Sequence, residues 1–298
     1  MHRADLQSAL LSQASREADI TITTGATIRD MAVHPMGVTT SIDVDGRVIE
    51  AKGLLLVGSD GVWSTIRGLA GETGRSRFSG RIAWRATIRT ESPQAALLTE
   101  LGATNSVTAF LHPDVHLVCY PVRAGGSINL VAIARGNDMP HGWAGTTDPA
   151  LLRKALARTS PRVRAMVEGV GSWTAWPLHT IDPGIPWVIP GGVALIGDAA
   201  HVMMPHAAQG AAMAIEDAVR LADHVAAQPG KIGAALAAWE AERRPRILKV
   251  AKRAAWNERA WHARGIVALV RNIVLRSRSP QRLANDLDWL YGWRPDGE

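Results

Sequence analysis

Apolar and polar positions recur with two different periods along the chain, and the changes of period divide it. Residues 3–18, RADLQSALLSQASREA, place Leu6, Ala9, Leu10 and Gln13 at helical spacing, which predicts an amphipathic helix. The segments DITITTGATIRDMAV, GVTTSIDV and RVIEAKGLLLVGSD then read as strands separated by turn signals, of which VDGR at 44–47 is the clearest hairpin turn. LLLVG is a continuous apolar run closed by glycine, the pattern of a strand buried on both faces in a parallel or mixed sheet. From about Arg81 to Gly136 the strand patterns RIAWRATIRT, SVTAFLH, VHLVCYPVR and SINLVAIAR follow without a clear helix between them, which predicts an antiparallel sheet inserted as a second domain. A helix at about 149–168 comes next, opened by Asp148-Pro149. WVIPGGVALIGDAAH returns the chain to the first sheet. Beyond Pro205 the pattern is helical, with breaks near Gln228-Pro229-Gly230, Gly265 and Pro280. The predicted class is α/β, with a discontinuous first domain.

Composition narrows the picture. At 298 residues, 47% hydrophobic and 20% charged, the chain is a globular protein of one large or two ordinary domains. Cys119 stands alone, so there is no disulfide framework or thiolate metal site, and a reducing, cytoplasmic setting is the default. Neither a signal peptide nor a membrane-spanning run is read at the sequence level. The net charge of +6 comes from residues 241–264, where Arg243, Arg244, Arg246, Lys249, Lys252, Arg253, Arg259 and Arg264 face only Glu242 and Glu258. Charge so concentrated reads as a solvated helix face, and no nucleic-acid-binding signature accompanies it. Farther on, GIVALVRNIVLR puts Ile266, Leu269, Val270, Ile273 and Val274 on one helix face, which suits interior packing or an anionic surface. Packing is the reading adopted, and a membrane is not an expected partner. Eleven Trp against two Phe and two Tyr have no explanation at this level.

Chemistry concentrates in three stretches. GGVALIGDAAHVMMPHAAQGAAMAIEDAVRLADHV, residues 191–225, sets Asp198 after the glycine that ends a buried strand, where α/β folds bind ligands and where an acid can accept hydrogen bonds from a ribose. A helix opening on Gly and Ala follows, so backbone N–H groups can approach a flat ligand, and the helix dipole favours negative charge there. Taken alone, a Gly-Asp strand end is also an ordinary turn. In VHLVCYPVR, strand alternation directs His116, Val118 and Tyr120 to one face and Leu117 and Cys119 to the other, into core. A His and a Tyr projecting together can bind and deprotonate a phenol, although the strand pattern by itself favours an ordinary polar outer face. His206 follows Pro205 and is either a loop histidine or a functional one, whereas His201 reads as structural. Trp84 and Arg85 are candidates to line a pocket and attract a carboxylate, with packing the plainer role for the tryptophan. No His, Cys and Asp cluster has metal spacing, so no metal is expected.

GDAAHVMMPHAAQGAAMAIEDA closely resembles the second flavin motif of the class A FAD-dependent aromatic hydroxylases, the salicylate hydroxylase, 3-hydroxybenzoate 6-hydroxylase and 6-hydroxynicotinate 3-monooxygenase group. LLLVGSDGVWSTIR is similar to that family's DG motif, HRADLQSALL to its flavin-reaching arginine segment, and DWLYGW to its usual ending. The resemblance implies a Rossmann-like FAD-binding domain (1–78 and 177–265), an inserted antiparallel substrate domain (79–176) and a helical C-terminus (266–298). It implies cofactor contacts from Arg3, Asp60, Gly61, Ser64, Arg67, Gly197, Asp198, Pro205, Gln209, Gly210, Ala211 and Ala212, with His116, Tyr120 and His206 at the reacting ring. The implied reaction uses NAD(P)H and O2 to hydroxylate a phenolic, salicylate-like acid through a C4a-hydroperoxyflavin, in a protein compatible with a homodimer. The family's G-x-G-x-x-G is not found, the nearest spacing being Gly169 and Gly171, which implies an N-terminally truncated form. An epoxidase of apolar substrates, or an inactive truncated fragment serving as an interaction module, are the competing readings.

Overall fold

The computed structural model describes residues 3–35, 37–71, 74, 76–138, 145–146 and 149–295, and the side chains of Arg3, Thr146 and Pro280 lie outside that description. In chain order the elements are α1 (Arg3–Ala14), β1 (Ala26–His34), β2 (Gly37–Val44), β3 (Arg47–Gly53), β4 (Leu56–Gly58), α2 (Thr65–Leu69), β5 (Arg77–Arg89), α3 (Pro93–Glu100), β6 (Thr108–Leu111), β7 (Val115–Val122) and β8 (Ser127–Arg135). There follow β9 (Gly145–Thr146), α4 (Ala150–Leu156), α5 (Pro161–Glu168), β10 (Thr174–Thr180), β11 (Val188–Ile189), β12 (Val193–Leu195), α6 (Asp198–His201), α7 (Gly210–Ala227), α8 (Ile232–Trp261), α9 (Gly265–Ser277), α10 (Pro280–Asn285) and α11 (Asp288–Tyr291). Contacts group these into two compact units: Met1–Ile22 with Phe78–Leu178 and Arg259–Arg271, and Thr23–Arg77 with His179–Glu258 and Asn272–Glu298.

The first unit is built on a six-stranded sheet of order β6-β7-β8-β5-β10-β9. Its apolar residues Trp84, Leu117, Cys119 and Leu130 pack against Leu98 of α3, Leu152 of α4 and Met166 of α5. The strands follow the alternation in the sequence. The helices depart from it: α3 interrupts the run read as all strand, and one expected helix is two. Both starts carry the same device, a serine cap followed by Pro at the first helical position. Ser92 Oγ accepts from the Ala95 N–H at 3.2 Å, and Ser160 Oγ from the Val163 N–H at 3.3 Å. The helix α1 forms at its expected place, but Leu10 and Leu11 on it are exposed, so it does not use the apolar stripe the spacing suggested.

In the second unit, β1, β2 and β3 form an antiparallel meander. Asp45 and Gly46 both take positive φ, 51° and 83°, so VDGR closes β2 on β3 as a two-residue turn with Val44 opposite Arg47. A separate sheet of order β11-β12-β4 pairs β12 with β4 in parallel. The expectation that LLLVG is buried on both faces does not hold, because Leu54 is 63% and Val57 37% exposed. β4 is the end strand of this sheet, with one neighbour among the described residues, so only its inward side chains are covered.

Buried charge binds the helices of this unit together. Asp217 on α7 is fully buried. Its Oδ2 accepts from the Gly197 N–H at 3.0 Å and lies 2.5 Å from His201 Nε2, and its Oδ1 accepts from Arg243 Nε at 2.9 Å. Arg243 on α8 also donates to Glu216 at 2.8 Å, and Arg246 grips both oxygens of Glu216 at 2.6 and 2.7 Å while donating to the Trp289 carbonyl. The basic stretch is therefore not simply a solvated face. Arg243 occupies a core position, four residues after Trp239 and four before Ile247, and the acids of IEDA meet it there. Several tryptophans also find their explanation: the Trp187 ring lies under Arg244, Trp289 under Lys249 and Trp293 beside Arg243 and Arg246. The interior packing expected of GIVALVRNIVLR does not occur, because α9 has no buried residue.

Burial alone would raise the Asp217 carboxyl, but the His201, Gly197 and Arg243 partners outweigh it and hold it below the ordinary carboxylate range. The unfolded chain thus binds the proton first. Asp217's contribution is fully present above about pH 4 and drains away as pH falls through the folded value. Asp217→Asn is expected to destabilise the chain by about 3–5 kcal/mol at neutral pH, since it leaves Arg243 buried with one partner fewer. It should also flatten the acid limb of the melting temperature plotted against pH. An acid limb identical to that of the parent would show that another carboxylate controls it.

Candidate functional site

The turn after β12 is where the second unit gathers its candidate ligand-binding groups. Gly197 has φ +57°, and a Cβ placed on it would stand 2.9 Å from the Ala214 Cβ, so glycine is required on both counts. Asp198 follows, exposed at the start of α6, beyond the carboxyl end of the parallel pair. The chain then makes a single 3₁₀ turn over Pro205–Ala207, passes through Ala208 with left-handed φ of 53°, buries Gln209 and enters α7 at Gly210. No side chain caps α7, Ala211 on its first turn is exposed, and nothing lies within 4 Å of where a Gly210 Cβ would stand. The first-turn N–H groups therefore carry no side-chain cap at the positive end of an 18-residue helix. Asn257 Nδ2 donates to the His206 carbonyl at 2.8 Å, which anchors the loop from outside. Uncapped backbone donors, small first-turn residues and a nearby exposed carboxylate suit a flat, polar-edged cofactor such as a flavin with its ribityl chain.

The DG segment of the same unit is brought into this region by one arginine. Asp60 accepts from Ser64 Oγ at 2.5 Å and from the Thr65 and Ile66 N–H groups at 2.7 and 3.1 Å, so both of its oxygens cap α2. Ser64 Oγ in turn accepts from the Arg67 N–H at 3.0 Å. Arg67 is buried and donates to the carbonyls of Val62, Gly74 and Ala199 at 2.7, 3.1 and 2.7 Å. Burial draws the Arg67 pKa down, and the charge of Asp60 opposes that shift. Asp60, Ser64 and Arg67 thus tie the DG loop to the GDAAH helix, while Gly61 supplies the positive φ of the turn. The Arg3 side chain lies outside the described residues.

In the first unit, β7 runs between β6 and β8, with His116 opposite Ile133 and Tyr120 opposite Asn129. Leu117 and Cys119 enter the core, and burial pushes the Cys119 thiol up to about 11, which leaves it an inert packing group. His116 is only 1% exposed. Its Nδ1 lies 3.1 Å from His262 Nε2, and the Trp261 ring meets it edge to face at 4.9 Å. At that separation one nitrogen carries the shared proton and the other accepts it. Tyr120 is half-buried on the same strand face. Trp84 lies in the sheet core, whereas Arg85, next along β5, is exposed over the Trp176 ring at 5.7 Å. These two therefore point to opposite sides of the sheet and do not share a pocket. His262 was missed because it sits just past the end of α8, where no periodicity marks it. Asn257 was missed because its role is a hydrogen bond to backbone.

The family model described as FAD binding domain matches residues 2–254. The 3-hydroxybenzoate 6-hydroxylase 1 of Aquipseudomonas alcaligenes is 31% identical over 297 residues, an alignment covering 98% of this chain and 72% of that one. A solved salicylate hydroxylase substrate complex matches with TM-score 0.78 and 25% identity, over 99% of this chain and 73% of the other. HpxO of Klebsiella pneumoniae, solved with FAD and uric acid, also matches with TM-score 0.78 and 25% identity, over 96% of this chain and 70% of that chain.

Gly197→Ala is expected to cost about 1–3 kcal/mol through the clash, with a further penalty for the positive φ. Because the obstructing atom is the Ala214 Cβ, Gly197→Ala with Ala214→Gly should recover the steric part alone. Denaturant midpoints of both single variants and the double variant check this, Ala214→Gly alone supplying the cost of about 1 kcal/mol for a glycine inside α7; strictly additive effects would mean the contact is not what excludes a side chain at 197.

Proposed function

The chain belongs to the FAD binding domain family, and on that premise we propose that it is an NAD(P)H-dependent flavoprotein monooxygenase that hydroxylates a phenolic aromatic acid of the salicylate or 3-hydroxybenzoate kind. The observation that carries the substrate assignment is the buried His116–His262 pair on the strand face that also holds Tyr120. A phenol is activated toward an electrophile by losing its proton, and an imidazole is the side chain whose ordinary pKa suits that task near neutrality.

Gly197, Asp198, Pro205, Gln209, Gly210, Ala211 and Ala212 would hold FAD, with Asp60, Gly61, Ser64 and Arg67 supporting the adjoining loop and Arg3 as a further contact. Bound there, FAD supplies redox chemistry, drawing reducing equivalents from NAD(P)H and activating O2. The first-turn N–H groups of α7 favour negative charge at the flavin ring edge, and Asp198 accepts from the hydroxyls of the sugar chain. With Nδ1 of His116 engaged by His262, the phenolic proton is taken at Nε2, and the resulting phenolate enriches the ring in electrons. Tyr120 hydrogen-bonds the substrate's polar substituents. His206, fixed through its carbonyl by Asn257, is a further candidate contact to the substrate. Trp84 takes no part in this reading, since it packs in the core, and no carboxylate contact is assigned to the exposed Arg85.

Purified chain loaded with FAD is expected to retain flavin through desalting and to form product from 3-hydroxybenzoate or salicylate at the expense of NAD(P)H. His116→Gln should keep its flavin yet lose roughly 10²–10⁴-fold in product formation. Chromatography of the product, set against the NAD(P)H consumed, reads both quantities. A His116→Gln protein that hydroxylates at the parental rate removes the assigned base, and a parent that holds no flavin removes the enzyme.

A further inference from the structure

The helix α9 wears its amphipathicity inside out. At about 100° per residue, Ile266, Val267, Leu269, Val270, Ile273 and Val274 fall within an arc of roughly 160°, and Leu275 alone among the large apolar residues lies outside it. The six side chains on that arc are 41% to 80% exposed. Opposite them, Ala268 is half-buried. The apolar stripe that would normally face a core therefore faces away from the protein, over an area on the order of several hundred Å², a size that marks an interaction surface.

The borders of the stripe indicate what covers it. Arg271 flanks one side and Arg276 the other, and Arg264, Arg278 and Arg282 lie close by along the chain. No acidic residue occurs between Glu258 and Asp286. Arg264 is paired with Asp114 and Arg278 with Asp286, and the Arg271 guanidinium donates to the carbonyls of Ala260 and Trp261. Arg276 and Arg282 are exposed. Two copies of this helix packed symmetrically would bring like-charged borders together, because an isologous contact sets a patch against itself. An anionic surface neutralises those borders instead. No described helix is long and apolar enough to cross a membrane, and α9, with 13 residues, is about 20 Å long.

We propose that α9 is an interfacial anchor that lies in the plane of a membrane surface rich in anionic lipid, with its apolar stripe among the acyl chains and its arginines at the headgroups. This does not depend on the catalytic assignment, since it uses none of the residues placed at the flavin or substrate.

Flotation of the full chain with phosphatidylcholine vesicles, with and without phosphatidylglycerol, tests it. Binding is expected only where phosphatidylglycerol is present and should weaken on adding salt. Leu269→Ser with Ile273→Ser should lower the partition coefficient at least tenfold, and Arg276→Gln or Arg282→Gln about fivefold each. Because these side chains are exposed, melting temperatures should stay at the parental value, which separates lost binding from misfolding. The proposal is overturned if the chain ignores vesicles, binds both compositions alike, or is unaffected by the apolar double variant. It is equally overturned if that variant dissolves a dimer of a parent chain that shows no vesicle binding, which would make the stripe a subunit contact.

Discussion

A carboxylate taken wholly out of water must be surrounded by donors, and much of the second unit is arranged to satisfy Asp217. Its two oxygens engage a backbone N–H, a histidine and an arginine, and those three partners belong to the turn after β12, to α6 and to α8. The consequence is geometric more than energetic. Gly197 is held by its N–H on one side and limited by Ala214 on the other, so the turn that presents Asp198 has little freedom. Through Arg243, Glu216 and Arg246 the same network reaches the carbonyl of Trp289 and the Trp293 ring, so the end of the described chain is latched to the same charges.

The candidate cofactor groups of the second unit and the candidate substrate groups of the first are made of different material. Around α7 the candidate contacts are mainly backbone donors on small residues, so their placement depends on the turn and helix being fixed rather than on any rotamer. Around His116 they are side chains, and the imidazole acquires its orientation from His262 and Trp261. A backbone site tolerates changes that add no volume, whereas a paired imidazole tolerates almost none. The DG segment is held by side chains acting on backbone: Asp60 and Arg67 spend their hydrogen bonds on α2, Val62, Gly74 and the GDAAH carbonyl, which shapes the loop a cofactor would meet.

What was legible in the sequence was local. The VDGR turn, the β7 alternation that puts Leu117 and Cys119 in core, and the glycine that ends β12 each follow from a few adjacent residues. The missed features are those that need two distant segments at once. Arg243 read as surface because its charge counted for more than its core spacing, and Asp217, 26 residues earlier on another helix, is what makes that core position tenable. An acid at a core position of one helix and an arginine at a core position of the next form a joint signal that neither carries alone. His262 offers no such signal, being one histidine after a helix end. The short helix α3 was available in the Ser92-Pro93 start and was overridden by the strand patterns on either side.

The charge of the C-terminal third shows how one composition serves two ends. Up to Glu258, arginines and lysines are interleaved with acids on α7 and α8, and the folded unit turns the pairs inward, as at Arg243 and Arg246, or sets them side by side, as where Arg220 donates to Glu242 at 2.7 Å. From Arg259 to Asn285 the arginines continue while the acids stop, and the apolar residues of α9 among them find no core. The pairing that stabilises α8 is not repeated within that stretch, which holds no acid of its own, and Arg264 and Arg278 reach outside it to Asp114 and Asp286. Positive charge beside an apolar stripe then persists on the surface, where water solvates the first and gains nothing from the second. A partner that is apolar and anionic together relieves both conditions, and a lipid surface has that chemistry, whereas a second copy of the same helix answers only the apolar half.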